Sequence, residues 1–560
     1  MVYWLAVGYR TLLIVRLLSV FRPFPLAPVP AVDLTDVYVE NLTKQLFGSS
    51  LTNLNISAPE RSLLTTYLLA APPVILLQIL DTLNYLNLNF FNWSVISRLY
   101  ATLLSLLVDL FVYRTARAWH IKPNLCLFLL SCSYIPWILF AKPSSALLET
   151  ILFAAFIYHI THHLNFDTPH QGCGVEDVTQ ESSGAFGLGV LLAVGIWHRP
   201  SFGFFALAPL LQWLLNQLCC QIIFVKRVLA KSVELFVAFC IAASLLSIGD
   251  SVLTSKLDLH CALNSNLSVS TIRTVWQNLT FVPVNFVRNN LNFDIVNDAP
   301  IQPIYTHFFV SVPCLFGLLG LAALYYCLQC LTVIQQIRLV NPKYWLFVSS
   351  FVIPLICFSL HPQKVTKDLC SLLIPVLFIC VIRFAHYKDP LKKRLLVITF
   401  GWNLFALLYW LFFNYGANYA AASFFDIKQR HFKGAKIEYH FIGTEPFPDS
   451  VFLENHPKAK IHKHPVNISR LEVSTTSVAT YLLSPATLKV CKLANLKLIG
   501  RFRWHFSAIA PPTVPQIFFC KETYGRKAKV TAGCEFKCSD NVWKNLANLL
   551  VLNVYRVISD

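Results

Sequence analysis

Apolar runs crowd the first 413 residues, near 1–20, 63–80, 98–113, 125–141, 146–163, 186–198, 203–224, 232–249, 308–333, 344–360, 368–385 and 395–413. A helix needs about 20 apolar residues to cross a ~30 Å hydrocarbon core, so this spacing predicts a bundle of membrane-spanning helices. The pattern changes after residue 413. From 414 to 560 the apolar positions fall into short alternating runs such as KIEYHFIG and PQIFFCKETYG. That is the period of strands, and it predicts a separate domain of mixed α/β or mainly β type. Residues 163–184 form a polar linker with mixed charge and turn residues. The run at 63–80 carries Pro72-Pro73 at its middle, which favours a re-entrant or broken segment.

Composition sharpens this picture. Of 560 residues 56% are hydrophobic and 13% charged, with mean hydropathy +0.56, more apolar surface than a soluble shell can cover. The net charge of +18 raises the question of nucleic acid, but the basic clusters fall between the runs and serve as topology signals, so no nucleic-acid partner is expected. Arg114, Arg117 and Lys122, then Lys226, Arg227 and Lys231, then Arg338 and Lys343, then Lys388, Lys392, Lys393 and Arg394 mark cytosolic loops. Asn-X-Ser/Thr sequons at Asn41, Asn55, Asn92, Asn266, Asn278 and Asn467 must be lumenal if used. Counting spans puts the loops 21–62 and 250–307 and the domain 414–560 in the lumen, and the two codes agree except at Asn92. Either 63–80 is re-entrant or Asn92 is unused. The first run, with Arg10 and Arg16 and no small-residue cleavage site, reads as a retained span. Most of the 17 cysteines lie inside apolar runs, whereas Cys491, Cys520, Cys534 and Cys538 cluster in the tail and suit disulfides better than zinc. His120, His162 and His163 lack ligand partners at metal spacing, so no metal site is expected.

Polar residues gather beside the lumenal ends of the spans. These are Asp33, Asp36 and Glu40; the turn KPSS with Glu149 after it; His198-Arg199; Asp250-Ser251; Asn285, Arg288 and His307; and Lys364, Lys367 and Asp368. A carboxylate facing several cations suits group transfer, with a base that takes a proton from an attacking hydroxyl and cations that neutralise a departing phosphate. Simpler roles compete: Arg199 as an interfacial snorkelling residue, Asp33 as a solvated loop carboxylate. A multi-pass transporter is the alternative from another class, but such proteins place polar groups at mid-depth and show paired halves, neither of which the sequence displays.

The chain resembles the dolichyl-phosphate-mannose-dependent mannosyltransferases of the GT-C fold (glycosyltransferase family 22), and among them the GPI mannosyltransferase 4 group. WHRPSFGFFALAPL is similar to that group's Asn-Arg-Pro-Thr-Phe segment, with His198 and Ser201 in place of Asn and Thr. FVPVNFVRNNL and THFFVSVPCLFG resemble its Thr-Pro-x-Asn-Phe loop and Thr-His-Leu span entry; ERSLL, KPSSALLE and GDS also have counterparts. In the first lumenal loop, where the family reads His-Pro-Asp-Glu, this chain has Ala31-Val32-Asp33-Leu34. Where the family reads His-Gln-Glu-x-Arg-Phe, Lys367 stands in place of Arg, and Val365 in place of Glu. The resemblance implies a GT-C-like membrane domain over 1–413, a lumenal domain over 414–560, and a multi-pass location in the endoplasmic reticulum. It implies transfer of a fourth mannose from dolichyl phosphate mannose to a GPI-anchor precursor lipid, inverting and without cofactor or metal. Asp33 would be the base; Arg199, Arg288 and Lys367 would bind the lipid phosphate, Asn285 and His307 would line the acceptor side, and Glu149 is a further substrate-binding candidate. With Leu34 and Val365 where the family carries Glu, a catalytically impaired relative acting as a pathway subunit is the other reading.

Overall fold

A helix in lipid reverses the usual rule: its large apolar side chains face outward and its small residues face its neighbours. The computed structural model of this chain follows that pattern. It describes residues 2–21, 61–86, 90–163, 183–219, 225–253, 279–291, 303–332, 342–360, 366–384, 389–408, 437–442, 460–464, 479–485, 496–503 and 551–557. In chain order the helices are α1 (Val2–Ser19), α2 (Leu63–Thr82), α3 (Phe90–Ala118), α4 (Pro123–Cys132), α5 (Ile135–Ile138), α6 (Ser145–His163), α7 (Ser183–His198), α8 (Phe202–Cys219), α9 (Val225–Leu253), α10 (Val282–Leu291), α11 (Val312–Thr332), α12 (Pro342–Leu360), α13 (Leu373–Phe384) and α14 (Asp389–Leu408). A π turn over His307–Ser311 leads into α11, and a 3-10 segment over Thr366–Leu372 leads into α13. Among the described residues, five helices are long and apolar enough to cross a membrane.

The pairing of α7 with α9 shows how the bundle is built. Leu229, Val233, Phe236, Val237, Ile241 and Leu245 repeat every three or four residues along the exposed face of α9, while Ala238, Ala242, Ala243 and Leu246 are buried. Ala193 and Trp197 of α7 complete the buried cluster. Close approach depends on Gly189, where an added Cβ would lie 2.3 Å from the Leu235 carbonyl oxygen. The aromatic core elsewhere is tight, with Phe347 and Phe378 stacked at 4.4 Å and Trp119 edge-on to Phe347.

Three apolar runs depart from the sequence expectation. Residues 63–80 are neither broken nor interrupted, since α2 passes through Pro72 and Pro73 as one helix. Each proline removes a single backbone donor, and the flanking Leu69, Ala70, Ala71, Val74 and Leu77 are buried, so packing holds the helix through the loss. The run 125–141 is instead two pieces, α4 and α5, divided at Ser133, whose ψ of 138° is extended. Pro136 opens the second piece, and the Tyr134 N–H freed at the break donates to Asn403 Oδ1 at 3.2 Å. The run 368–385 begins as the 3-10 segment, which carries Lys367 and Asp368 into the protein before α13 starts.

Beyond residue 436 the described elements are strands β1 (Ile437–Ile442), β2 (Lys460–His464), β3 (Ala479–Pro485), β4 (Leu496–Arg503) and β5 (Val551–Val557) in one sheet of order β2-β1-β3-β5-β4. β1 pairs in parallel with β2 and β3, whereas β5 is antiparallel to β3 and β4, so the sheet is mixed. Tyr439 and Phe441 on one face of β1, and Glu438, His440 and Ile442 on the other, are all buried, as expected of a strand covered on both sides. KIEYHFIG is thus a strand as its alternation predicts, and PQIFFCKETYG lies outside the described residues. The chain divides into two compact units, one of Met1–Leu18, Asn53–Leu69 and Arg98–Leu404, the other of Ser19–Thr52, Ala70–Ser97 and Phe405–Asp560. This partition differs from a single cut at 413 in giving 19–52 and 70–97 to the second unit.

Candidate functional site

The ends of several helices of the first unit meet in a continuous polar layer, and the turn HRPSF is its centre. α7 ends at His198, and α8 begins at Phe202. The Arg199 N–H closes on the Gly195 carbonyl at 2.9 Å, and the Arg199 carbonyl accepts from Phe202 N–H at 2.8 Å. Pro200 belongs where a helix starts, because the missing N–H has no partner to lose there. The turn needs Gly195 too: an added Cβ would lie 2.2 Å from the Phe202 ring.

This geometry drives Arg199 inward. Its Nη1 donates to Glu149 Oε2 at 2.8 Å, and its Nη2 donates to Asp368 Oδ1. Ser201 Oγ donates to the other Glu149 oxygen at 3.3 Å. The guanidinium therefore binds together the first turns of α6, the α7–α8 turn and the 3-10 segment, with Glu149 1% exposed and Arg199 5%. Arg199, the candidate phosphate ligand, is thus held between two carboxylates. Glu149, the candidate substrate-binding carboxylate, accepts from both Arg199 and Ser201. A charge at that depth is tolerable only with such partners.

Around the ion pairs the layer continues. His198 Nε2 lies 3.1 Å from the Ser145 carbonyl and Nδ1 lies 2.9 Å from Thr65 Oγ1. Since a carbonyl only accepts, the ring carries a proton on Nε2, while Thr65 Oγ1, which also donates to the Ser62 carbonyl at 3.1 Å, shares the hydrogen bond with Nδ1. Arg61 Nη1 donates to Ser145 Oγ at 3.1 Å. Asp250, at the end of α9, accepts from Ser62 Oγ and from the Leu64 N–H, each at 2.8 Å, which caps the start of α2. Ser251 Oγ accepts from Thr280 N–H at 2.7 Å and thereby sets the start of α10. On the other flank buried His307 shares a hydrogen bond with Ser311 at 2.9 Å, and Ser311 with Thr366 at 3.3 Å, next to Lys367 and Asp368.

Of the residues singled out in the sequence, the structure brings together Glu149, Arg199, Lys367 and His307, all buried. Asn285 and Arg288 sit on α10, whose first residue Val282 packs against α7 and α9; Arg288 is exposed beside Val284 and Val287. Asp33, the glycosylation candidates Asn41, Asn55, Asn266, Asn278 and Asn467, and the tail cysteines Cys491, Cys520, Cys534 and Cys538 lie outside the described residues. Sequence reasoning missed a second buried pair, Arg16 Nη1 to Asp109 Oδ2 at 3.7 Å, with Tyr9 OH donating to the same carboxylate at 3.1 Å. Its signal was present, since an Asp inside an apolar run needs a partner. It also missed Asp368 as the second acceptor of Arg199.

The family model of Alg9-like mannosyltransferases matches residues 37–440, most of the chain. The chain belongs to the Alg9-like mannosyltransferase family. The matched stretch contains the whole polar layer. Human GPI alpha-1,2-mannosyltransferase 4 is 26% identical over 326 residues, which cover 56% of this chain and 52% of that protein, about half of its length. Among solved structures, apo ArnT from Cupriavidus metallidurans superposes with a TM-score of 0.50 at 10% identity, over 91% of this chain and 100% of that one. The Alg9-like chain is thus a polytopic helical membrane protein of GT-C-like fold.

Proposed function

We propose that the protein transfers mannose from dolichyl phosphate mannose to a hydroxyl of a GPI-anchor precursor, adding the fourth mannose on the lumenal side of the endoplasmic reticulum membrane. The observation that carries this reading is the convergence, within the family-matched region, of buried polar groups from α2, α6, α7 and α9, the α7–α8 turn, the π turn and the 3-10 segment. A lipid-linked sugar presents its phosphate at such a membrane face. In the reaction the acceptor oxygen attacks the anomeric carbon of mannose, and the bond from that carbon to the phosphate oxygen breaks. The acceptor proton passes to a carboxylate, here Asp33, and dolichyl phosphate leaves with the electron pair. Inversion follows from a single displacement and uses no cofactor or metal. Lys367 and Arg288 are the cations for the departing phosphate; Asn285 and His307 serve the acceptor. Arg199 acts differently from a phosphate ligand: through Asp368 it fixes the 3-10 segment that carries Lys367.

The test is transfer of labelled mannose in microsomes from cells lacking the fourth-mannose activity. Wild-type protein restores transfer, Asp33→Asn abolishes it, and Lys367→Ala weakens the use of the donor. Full restoration by Asp33→Asn would instead identify a pathway subunit that needs no base of its own, the reading favoured by Leu34 and Val365 at the family's Glu positions.

A further inference from the structure

The buried face of β1 carries an unusual trio. Glu438 and His440, two residues apart, point to the same side of the strand, and the parallel register sets His462 of β2 directly beside His440. The two imidazoles stack at 4.8 Å with 16° between their planes. Glu438 is 3% exposed and His440 2%, and one ligand atom from each of the three residues lies within 4.8 Å of the other two. On the other flank of β1 the same row continues with Thr480 opposite Glu438 and Leu482 opposite His440, both buried.

An interior row of a sheet ordinarily packs aliphatic side chains, so a carboxylate with two imidazoles on one row is an unusual donor set. The Glu438 Oε2 to His440 Nε2 distance of 3.9 Å is longer than a hydrogen bond. It lies near the spacing of two ligands on one tetrahedral ion, about 3.3 Å for bonds of 2.0–2.1 Å. Two imidazoles and one carboxylate form a borderline donor set, which favours zinc among the available divalent ions over calcium or magnesium, whose ligands are oxygens.

We propose that Glu438, His440 and His462 form a zinc(II) site that pins the edge strand β2 to β1, with a fourth position open to water. Three protein ligands are enough for such an ion, and Leu482 supplies the apolar wall that shields it. The three ligands belong to the second compact unit, whereas the polar layer belongs to the first. His440 and His462 share no short motif and are joined by sheet register alone, so spacing along the sequence does not show the trio.

The experiment uses the full-length protein in detergent, purified with a histidine-free tag and stripped by a chelator. Zinc is titrated in against a competing dye and measured by elemental analysis. One equivalent binds the wild type, and binding weakens at least roughly tenfold in both His440→Gln and His462→Gln. Cobalt(II) loaded in place of zinc gives the visible bands of a nitrogen–oxygen site without thiolate charge transfer. Should His440→Gln fail to fold, His462→Gln on the half-buried edge strand and the cobalt spectrum decide alone. The proposal is overturned if stripped wild type takes up no zinc, if the His462→Gln protein binds it as tightly as wild type, or if the cobalt spectrum shows thiolate ligands, which would place the metal at the tail cysteines.

Discussion

Arg199 and Arg16 are both buried arginines facing buried carboxylates, yet they are held in different ways. Arg199 stands at a turn between two helices and reaches two carboxylates on two other elements, with Ser201 filling in behind Glu149. Arg16 lies in the last turn of α1 and faces one carboxylate within α3 at 3.7 Å, with Ser105 accepting from Nη2 and Tyr9 sharing the acid. The first arrangement ties the α7–α8 turn and the short 3-10 segment to the start of α6. The second joins two helices that would each form without it. An ion pair at helix ends therefore determines the shape of the polar layer, whereas one along helix flanks determines register.

The largest effect that would test this contrast is at Arg199. Arg199→Ala leaves buried Glu149 and half-buried Asp368 without their shared cation, at a cost of about 3–5 kcal/mol, and mannosyl transfer is lost with the geometry of the 3-10 segment. Arg199→Lys recovers part of the stability but little transfer, since an ammonium cannot span two carboxylates as a planar fork does. Thermal unfolding in detergent and the microsomal transfer assay read the two quantities separately. If Arg199→Lys transferred mannose at the wild-type rate, the positioning role would be wrong.

At the other pair, Arg16→Met alone strands Asp109 and costs about 3–5 kcal/mol, but the double substitution Arg16→Met with Asp109→Leu restores most of that loss. Transfer by the double variant stays within about twofold of wild type, because none of the hydrogen bonds described for the polar layer runs through Arg16 or Asp109. The equivalent apolar replacement of Arg199, Glu149 and Asp368 restores stability without restoring transfer. A double variant at Arg16 and Asp109 that folds but is inactive would erase the distinction between the two pairs.

The contrast also marks how far the sequence could be read. Hydropathy alone located the helices, and alternation located β1, because burial against lipid or protein imposes those periods directly. Sidedness put Glu149, Arg199, Lys367 and His307 near one another. What it could not give was pairing: whether Arg199 faces water or Glu149 depends on the depth of a three-residue turn, which is set by Gly195 and Phe202 together. Pro72-Pro73 misled because proline weakens a helix locally while tertiary contacts decide whether it continues. The Glu438, His440 and His462 trio was invisible because strand register, unlike helical spacing, is not written in sequence separation.

A smaller change probes the carboxylate side of the first pair. Glu149→Gln keeps the shape and one acceptor for Arg199 but removes the charge, and it costs about 1–3 kcal/mol. Because Asp368 still anchors the guanidinium, transfer falls only partly. Combining Glu149→Gln with Asp368→Asn costs more than the sum of the two, as expected when both acceptors serve one donor. Strict additivity in a double-mutant cycle would mean that the three groups do not act as a unit.

The smallest effect belongs to His198, the neighbour of Arg199 and the place where the family resemblance has Asn. The imidazole reaches Thr65 with Nδ1 and the Ser145 carbonyl with Nε2, a span that joins α2 to the start of α6. An asparagine amide is shorter, so it reproduces the contact at Nδ1 and gives up the one at Nε2. His198→Asn then costs about 0.5–1.5 kcal/mol, one net hydrogen bond, since the Ser145 carbonyl can still accept within its own helix. Transfer and KM for the lipid donor stay unchanged, because the ring faces the scaffold on both sides. A large rise in KM with unaltered stability would show that His198 touches substrate, and the HRPSF turn would then be part of the binding surface as well as its support.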